Sequence, residues 1–360
     1  MEYFEFCNNV KNILSKMVDD KCNVRVEEVI KNNQVSLQAV VIMENGRNSA
    51  PSIFLEKYYG EYLSGRNLND ICLDIMVIND KYKDAISFDI NDFLTYEKVK
   101  DKIYVKVINK NKNRKRLEKM PWIEFLDLAA IAYVETDEFG CVAGTINVTD
   151  ANMTAWNIDK ETLFDAAIKN TVTNMKPCLE KIGELMKELY CEKIGNNSLY
   201  GMDELDQIMN AIDTSYDRMI YVLTNKKRIN GSVYIMFNDI LISVAEEIND
   251  NLYIIPSSIH ELIIVPEKCA INENELKYMV KEINKTELDP KEVLSDSIYY
   301  FDRSIGNVQI KLVHLMGIEP ISYPPEGYVI SIRLQVHSSF IIHKNTIYTQ
   351  YFIDFFSIVC

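Results

Sequence analysis

The sequence predicts an α+β protein, with several small antiparallel sheets and packed helices arranged in more than one unit. Three observations carry this. Short β-branched runs come in pairs around turn residues, amphipathic helical periods recur between the pairs, and the order lacks the strict βαβα alternation of a parallel sheet. A chain of 360 residues is long enough for two or three domains and buries roughly 75% of its unfolded surface.

Residues 2–18 place Phe6, Val10, Ile13, Leu14 and Met17 on one helical face. CNVRVEEVI and VSLQAVVIM then flank Lys31 to Gln34 and read as a hairpin. After Pro51, SIFLEKYYGEYL reads as a helix that Ser52 would cap, and Leu68, Ile71, Cys72 and Ile75 mark another. IYVKVIN, from Ile103 to Asn109, alternates as a strand. FLDLAAIAYVE and CVAGTINVT read as two more strands, joined at Asp137 to Gly140.

Asp159 is a candidate N-cap for a helix packed through Leu163, Phe164, Ala166 and Ala167. Pro177 reads as the N1 residue of a second helix carrying Leu179, Ile182, Leu185, Met186 and Leu189. A turn-rich connection at Gly195 to Gly201 precedes a strand at Met219 to Thr224 and a helix around Ile235 to Ile248. Two apolar runs follow in NLYIIPSSIHELIIVP, then a helix at Glu273 to Asn284 and a hairpin turned at Ile305-Gly306. These elements group into an α+β unit at 1–95, a strand meander with a helix pair at 96–195, and a second α+β unit at 196–310.

Residues 311–360 are a different kind of sequence. They carry 6 of the 92 charged residues and three of the four histidines, at 314, 337 and 343. A docking or membrane-surface role is disfavoured because no basic face is present. The reading preferred is a translated extension past the natural stop, because LMGIEP from Leu315 resembles peptides obtained when DNA around tRNA genes is read as protein.

Eight cysteines without a C-x-x-C pair argue against a zinc site or a disulfide scaffold and fit reduced thiols in the cytoplasm. The first ten residues lack the basic and apolar regions of a signal peptide, and no run of 18 apolar residues exists to span a membrane. A net charge of −14 disfavours nucleic acid. Lys110 to Arg116, with five basic residues in seven, therefore reads as a solvated turn. Asp127 interrupts an apolar run, and the expectation is a carboxylate paired with backbone or an arginine.

The stretch most like a site is Ser257, Ser258, His260 and Glu261. A histidine beside serines and a carboxylate is the material of a hydrolase, but IPSSIHE has no glycine for a nucleophile elbow. Ile264 stands where H-E-x-x-H needs its second histidine, so neither a metal nor any other cofactor is predicted. The structural alternative is preferred: Ser258 and Glu261 have capping-box spacing and would close one helical turn, with His260 bonded to a backbone carbonyl. Tyr58, Tyr59 and Tyr62 form a second candidate, a recognition surface on the helix after Pro51.

Several segments together resemble a bacterial family of unknown function, domain of unknown function 5688, found mainly in gut Firmicutes. They are NSAPSIFLEKYYGEYLSG from Asn48, VINKNKN from Val107, DLAAIAYV from Asp127, VTDANMTAWNIDKETLFDAAIKNT from Val148, IPSSIHELIIVP from Ile255 and SDSIYYFDR from Ser295. The resemblance covers residues 1–310 and stops before the atypical tail. Trp156 and Leu163, with Ala167 and Asn170, resemble more distantly another Firmicute family. The resemblance implies ancestry and a cytosolic home, and no chemistry. The expected function is a non-catalytic module that binds a protein or peptide, in an oligomeric state the sequence does not fix. The alternative is a hydrolase-like enzyme using His260 and Glu261.

Overall fold

The structure is a computed structural model that describes residues 1–47, 50–83, 93–135, 145–182, 184, 220–269, 273–286 and 288–311. The expected turn at Asp137 to Gly140, the connection at Gly195 to Gly201, the positions of Leu185, Met186 and Leu189, and the tail beyond Lys311 lie outside these. The chain is α+β and divides into two compact units, one of Met1–Val105, Lys112–Trp122 and Ile131–Thr171, the other of Lys106–Asn111, Ile123–Ala130 and Val172–Cys360. Among the described residues no helix is long and apolar enough to cross a membrane.

In the first unit, helix α1 (Tyr3–Met17) precedes the strands β1 (Cys22–Ile30), β2 (Ser36–Glu44) and β3 (Ser52–Phe54), and α2 (Glu56–Leu63) and α3 (Leu68–Tyr82) follow. The sheet order is β1-β2-β3, antiparallel throughout, with Ile30 opposite Ser36 across the Asn32–Gln34 turn. Asn33 and Gln34 take positive φ there, which suits the short polar side chain of Asn33. Phe6, Val10 and Leu14 from α1 meet Val24, Val40, Ile42 and Ile53 from the sheet and Ile71, Cys72 and Ile75 from α3. Helix periods of three and four put these residues on one face, and period two does the same in the strands. Ser52 does not cap a helix: it lies in β3 opposite Val41, and α2 begins only after Leu55.

The strands β4 (Ile103–Asn109), β5 (Trp122–Phe125), β6 (Leu128–Glu135) and β7 (Thr145–Asn147) form a sheet ordered β4-β6-β5, with β7 on β6. The run expected as one strand from Phe125 is broken, because Leu126 turns through φ +53° and separates β5 from β6. Helices α4 (Asp150–Trp156) and α5 (Lys160–Asn174) follow, joined through Asn157 at φ +52°. Thr149 and Asn152 make a reciprocal capping box on α4, and Asp159 caps α5 as expected, its Oδ1 accepting from the Thr162 N–H at 2.8 Å.

The second unit holds a six-stranded antiparallel sheet built from β8 (Pro177–Lys181), β9 (Tyr221–Asn225), β10 (Leu252–Ile255), β11 (Leu262–Pro266), β12 (Tyr299–Asp302) and β13 (Asn307–Ile310). Its order is β13-β12-β10-β11-β9-β8. The helix expected from Pro177 is instead β8 over its first five residues, paired with β9 from Pro177 opposite Asn225 to Lys181 opposite Tyr221. That ladder overrides the helix preference of Leu179, Glu180 and Lys181. Helix α6 (Asn238–Ile248) lies between β9 and β10, and α7 (Glu273–Thr286) between β11 and β12.

Every residue of β10 and β11 is buried, and the pair forms the middle of the sheet. One face carries Val222, Tyr253, Ile255, Ile263, Val265 and Tyr300 against Leu276 and Val280 of α7. Leu223, Leu252, Ile254, Leu262, Ile264 and Phe301, on the opposite face, are fully buried as well. The two apolar runs around IPSSIHE are therefore the central hairpin of this unit.

Candidate functional site

Residues Pro256 to Glu261 join β10 to β11 in irregular backbone, so the helical turn expected there is absent. The capping-box spacing is used otherwise. The Ser258 Oγ accepts from the His260 N–H two residues on, at 3.0 Å, and the Ser258 N–H bonds the Glu261 carbonyl at 3.4 Å rather than its carboxyl. Short hydroxyl side chains favour such local bonds over a helix.

The connection is bound to a second loop, which runs from the end of β9 into a 3-10 helix at Gly231–Met236. The His260 carbonyl accepts from both the Gly231 N–H and the Thr224 hydroxyl, each at 2.9 Å. Ser232 Oγ donates to the Glu261 carbonyl at 2.8 Å and also bonds the Ser258 carbonyl. From the other side, the Ile259 N–H donates to the Glu292 carbonyl at 2.9 Å. These bonds answer buried backbone groups that no ladder reaches.

Gly231 permits the approach. A Cβ on it would stand 2.5 Å from Thr224 Oγ1 and 2.6 Å from the His260 carbonyl oxygen, so no side chain fits. Asn230 precedes it at φ +56° and presents its N–H to His260 Nδ1 at 3.2 Å. The imidazole is thus an acceptor of a backbone N–H, not the donor to a carbonyl that the sequence suggested.

Burial favours the uncharged form of both members of the pair. Burial pushes His260 down to about 4, with Lys106 and Lys291 adding to the effect. Burial pushes Glu261 up to about 8; Arg228 opposes the rise, Glu180 and Glu292 add to it, and a hydrogen bond from Ser257 opposes it. At neutral pH the histidine is an uncharged base of low strength and the glutamate an uncharged acid buried to 4% exposure. Arg228 itself pairs with Glu180 at 3.0 Å. Among the described residues no serine hydroxyl bonds the imidazole, the contact a serine nucleophile requires. Nor do three or more His, Cys, Asp or Glu residues gather there to hold a metal ion.

Among the described residues neither a backbone N–H nor an arginine reaches the Asp127 carboxylate, the pairing that the sequence suggested. Its carboxylate accepts from the hydroxyls of Ser295 at 2.6 Å, Ser297 at 2.9 Å and Tyr299 at 2.5 Å. Burial and the Asp127 charge raise Tyr299, keeping it a donor. The chemistry available is three charge-assisted hydrogen bonds into one carboxylate. Each second residue from Ser295 to Tyr299 faces Asp127, a period-two signal visible in SDSIY once its target is known.

Tyr58 is buried in the first unit's core, whereas Tyr59 and Tyr62 are half-buried at its edge. Tyr59 packs on Tyr3 and Phe6, with ring centroids 4.9 and 5.3 Å away, and stacks with Tyr62 at 6.5 Å. In the basic run, Lys110 pairs with Glu124 at 2.5 Å and Arg114–Leu117 form a helical turn.

Two segments behind the family resemblance, DLAAIAYV and SDSIYYFDR, thus meet at Asp127, and a third, IPSSIHELIIVP, is the central hairpin. A family model described as a family of unknown function (DUF5688) matches residues 3–303. The chain belongs to that family. Searches of curated proteins and of solved structures find no match to it. Within the family match fall all the residues described above at the hairpin, at Asp127 and on α2.

Proposed function

We propose that this member of the family is a non-catalytic cytoplasmic module that binds a protein or peptide partner through the α1 and α2 surface of its first unit. The observation that carries the reading is the exposure of Phe4 at 76% and Leu63 at 64%, next in sequence to the packed aromatics Tyr3 and Tyr62. Large exposed apolar side chains on the two helices that carry the half-buried tyrosines are the residue types of interface cores. The packing of Tyr59 and Tyr62 fixes their rings in advance, which lowers the entropy lost on binding. The cytoplasmic assignment is supported by free thiols at all five described cysteines, of which Cys7 and Cys72 are buried.

The hydrolase-like alternative gains little from the geometry of the hairpin connection. Its base is held by a backbone N–H, and its acid is uncharged and buried.

Affinity capture from native cytoplasmic extract tests the reading, with wild type compared to the double variant Phe4→Asp, Leu63→Asp. Wild type retains a stoichiometric partner, and the variant loses it while melting at the same temperature. Absence of any stoichiometric partner on wild type, or equal retention by both, contradicts the proposal.

A further inference from the structure

On its α7-covered side, the six-stranded sheet ends in a cluster of two tyrosines, two glutamates and a lysine. Tyr253 of β10 and Tyr300 of β12 are register partners, and their rings meet edge-on with centroids 5.2 Å apart. The Tyr253 hydroxyl donates to Glu273 Oε1 at 2.7 Å, and the Tyr300 hydroxyl to Glu267 Oε1 at 3.0 Å. Asn251 donates to the second Glu267 oxygen at 2.7 Å. Both phenolic protons are thus used on carboxylates. What the cluster still offers is ring faces and carboxylate lone pairs, the complement of a cation.

An ammonium already sits in it. Lys311 Nζ lies 4.3 Å from the Tyr300 centroid, 5.6 Å from the Tyr253 centroid and 3.2 Å from Glu273 Oε1. Both ring distances fall within the ~6 Å reach of a cation–π contact. The hydrogen bond from Tyr253, followed by Lys311, holds Glu273 below the usual carboxylate range. The rings are buried, at 5% and 7% exposure. The Lys311 and Glu273 side chains are 31% and 34% exposed, so the cluster opens to solvent on the lysine side. Lys311 follows directly on β13, an edge strand of the sheet, and its N–H donates to the Ile298 carbonyl at 2.9 Å.

We propose that Tyr253, Tyr300, Glu267 and Glu273 form a binding cage for a primary alkylammonium group, in which Lys311 is the resident occupant that a lysine side chain or a small amine replaces. The preference for a primary ammonium follows from Glu273, which stands at charge-assisted hydrogen-bond distance and needs an N–H to receive. A quaternary ammonium has none and would meet only two ring walls. The cage lies in the second unit and stands independently of the α1 and α2 surface.

The test uses the full chain with Lys311→Met, which keeps an unbranched apolar stem and removes the charge. Calorimetric titration with n-butylammonium chloride is expected to show saturable binding roughly tenfold or more tighter than to wild type, whose cage is filled. Tetramethylammonium binds more weakly, and adding Glu273→Gln to Lys311→Met abolishes the gain. A lysine peptide blocked at both ends separates the sources: binding it as well as n-butylammonium assigns the cage to a peptide, and binding n-butylammonium alone assigns it to a small amine. Equal titrations for Lys311→Met and wild type, or equal affinity for tetramethylammonium, overturn the proposal. Lys311→Gln, run in parallel with near-ultraviolet circular dichroism as a check of native packing, gives the same reading if the methionine variant fails to fold.

Discussion

The backbone N–H of Asn230 donates to Nδ1 of His260 at 3.2 Å, joining the end of the β9 loop to the centre of the β10–β11 hairpin. Asn230 is 4% exposed, so its N–H loses its protein acceptor at a buried position when the imidazole is removed. A buried donor left unsatisfied costs ~1 to 3 kcal/mol. His260→Ala is therefore expected to lower stability by about that amount in urea unfolding. An unchanged midpoint would remove the imidazole from the fold's supporting bonds.

Gly231→Ala should be worse. The clash is with Thr224 and with the His260 carbonyl, both fixed by hydrogen bonds, so neither can yield cheaply. Overpacking of this kind costs ~1 to 3 kcal/mol and occasionally more, and the upper end is expected here. A melting temperature equal to wild type would contradict the close approach of the two loops.

Stability should fall as pH rises above neutrality. The contribution of Glu261, raised from 4.5 to about 8, is full below 4.5 and is lost as pH rises through about 8. That of His260, depressed from 6.5 to about 4, is full above 6.5 and is lost as pH falls through about 4. The two slopes oppose each other between 4.5 and 6.5. From 6.5 to about 8 only Glu261 of the pair contributes a slope, lowering stability by about 1.4 kcal/mol per pH unit. Glu261→Gln flattens that limb, and chemical denaturation at pH 6.5 and 8 in both proteins measures it. A parallel decline in the variant would place the titration elsewhere.

Asp127→Ala strands the hydroxyls of Ser295 and Tyr299, both at most 1% exposed. Each stranded hydroxyl costs about 1 to 3 kcal/mol, so a loss of about 2 to 6 kcal/mol is expected, and Tyr299→Phe alone should cost about 1 to 3 kcal/mol. A double-mutant cycle between Tyr299→Phe and Asp127→Asn should return a coupling of about 0.5 to 3 kcal/mol. Additivity within error would mean that the 2.5 Å contact carries no coupling energy.

The elements legible in the sequence were those whose local pattern agrees with their environment. IYVKVIN is a strand from Ile103 to Asn109 whose β-branched residues suit burial on both faces, and Lys31 to Gln34 turns a hairpin between two such runs. The errors fall where a distant partner decides. Pro177 reads as a helix start, yet β9, some forty residues on, draws 177–181 into a ladder. Leu126 carries no mark of a turn, yet it takes a positive φ between β5 and β6. The capping box on α4 was hidden because Asn152 replaces the usual Glu or Gln. At the hairpin connection the sequence showed the polar residues but not the β9 loop that occupies them, and at Asp127 it showed a carboxylate but not the three hydroxyls.

His260 is a neutral acceptor built into the fold. Nitrogen-15 NMR titration of the imidazole, assigned by its loss in His260→Gln, tests this directly. The expected spectrum shows an unprotonated Nδ1 and a proton on Nε2, held from neutral pH down to about 4. An imidazole that gains its proton near 6.5 or above would contradict the account and return His260 to the candidates for catalysis.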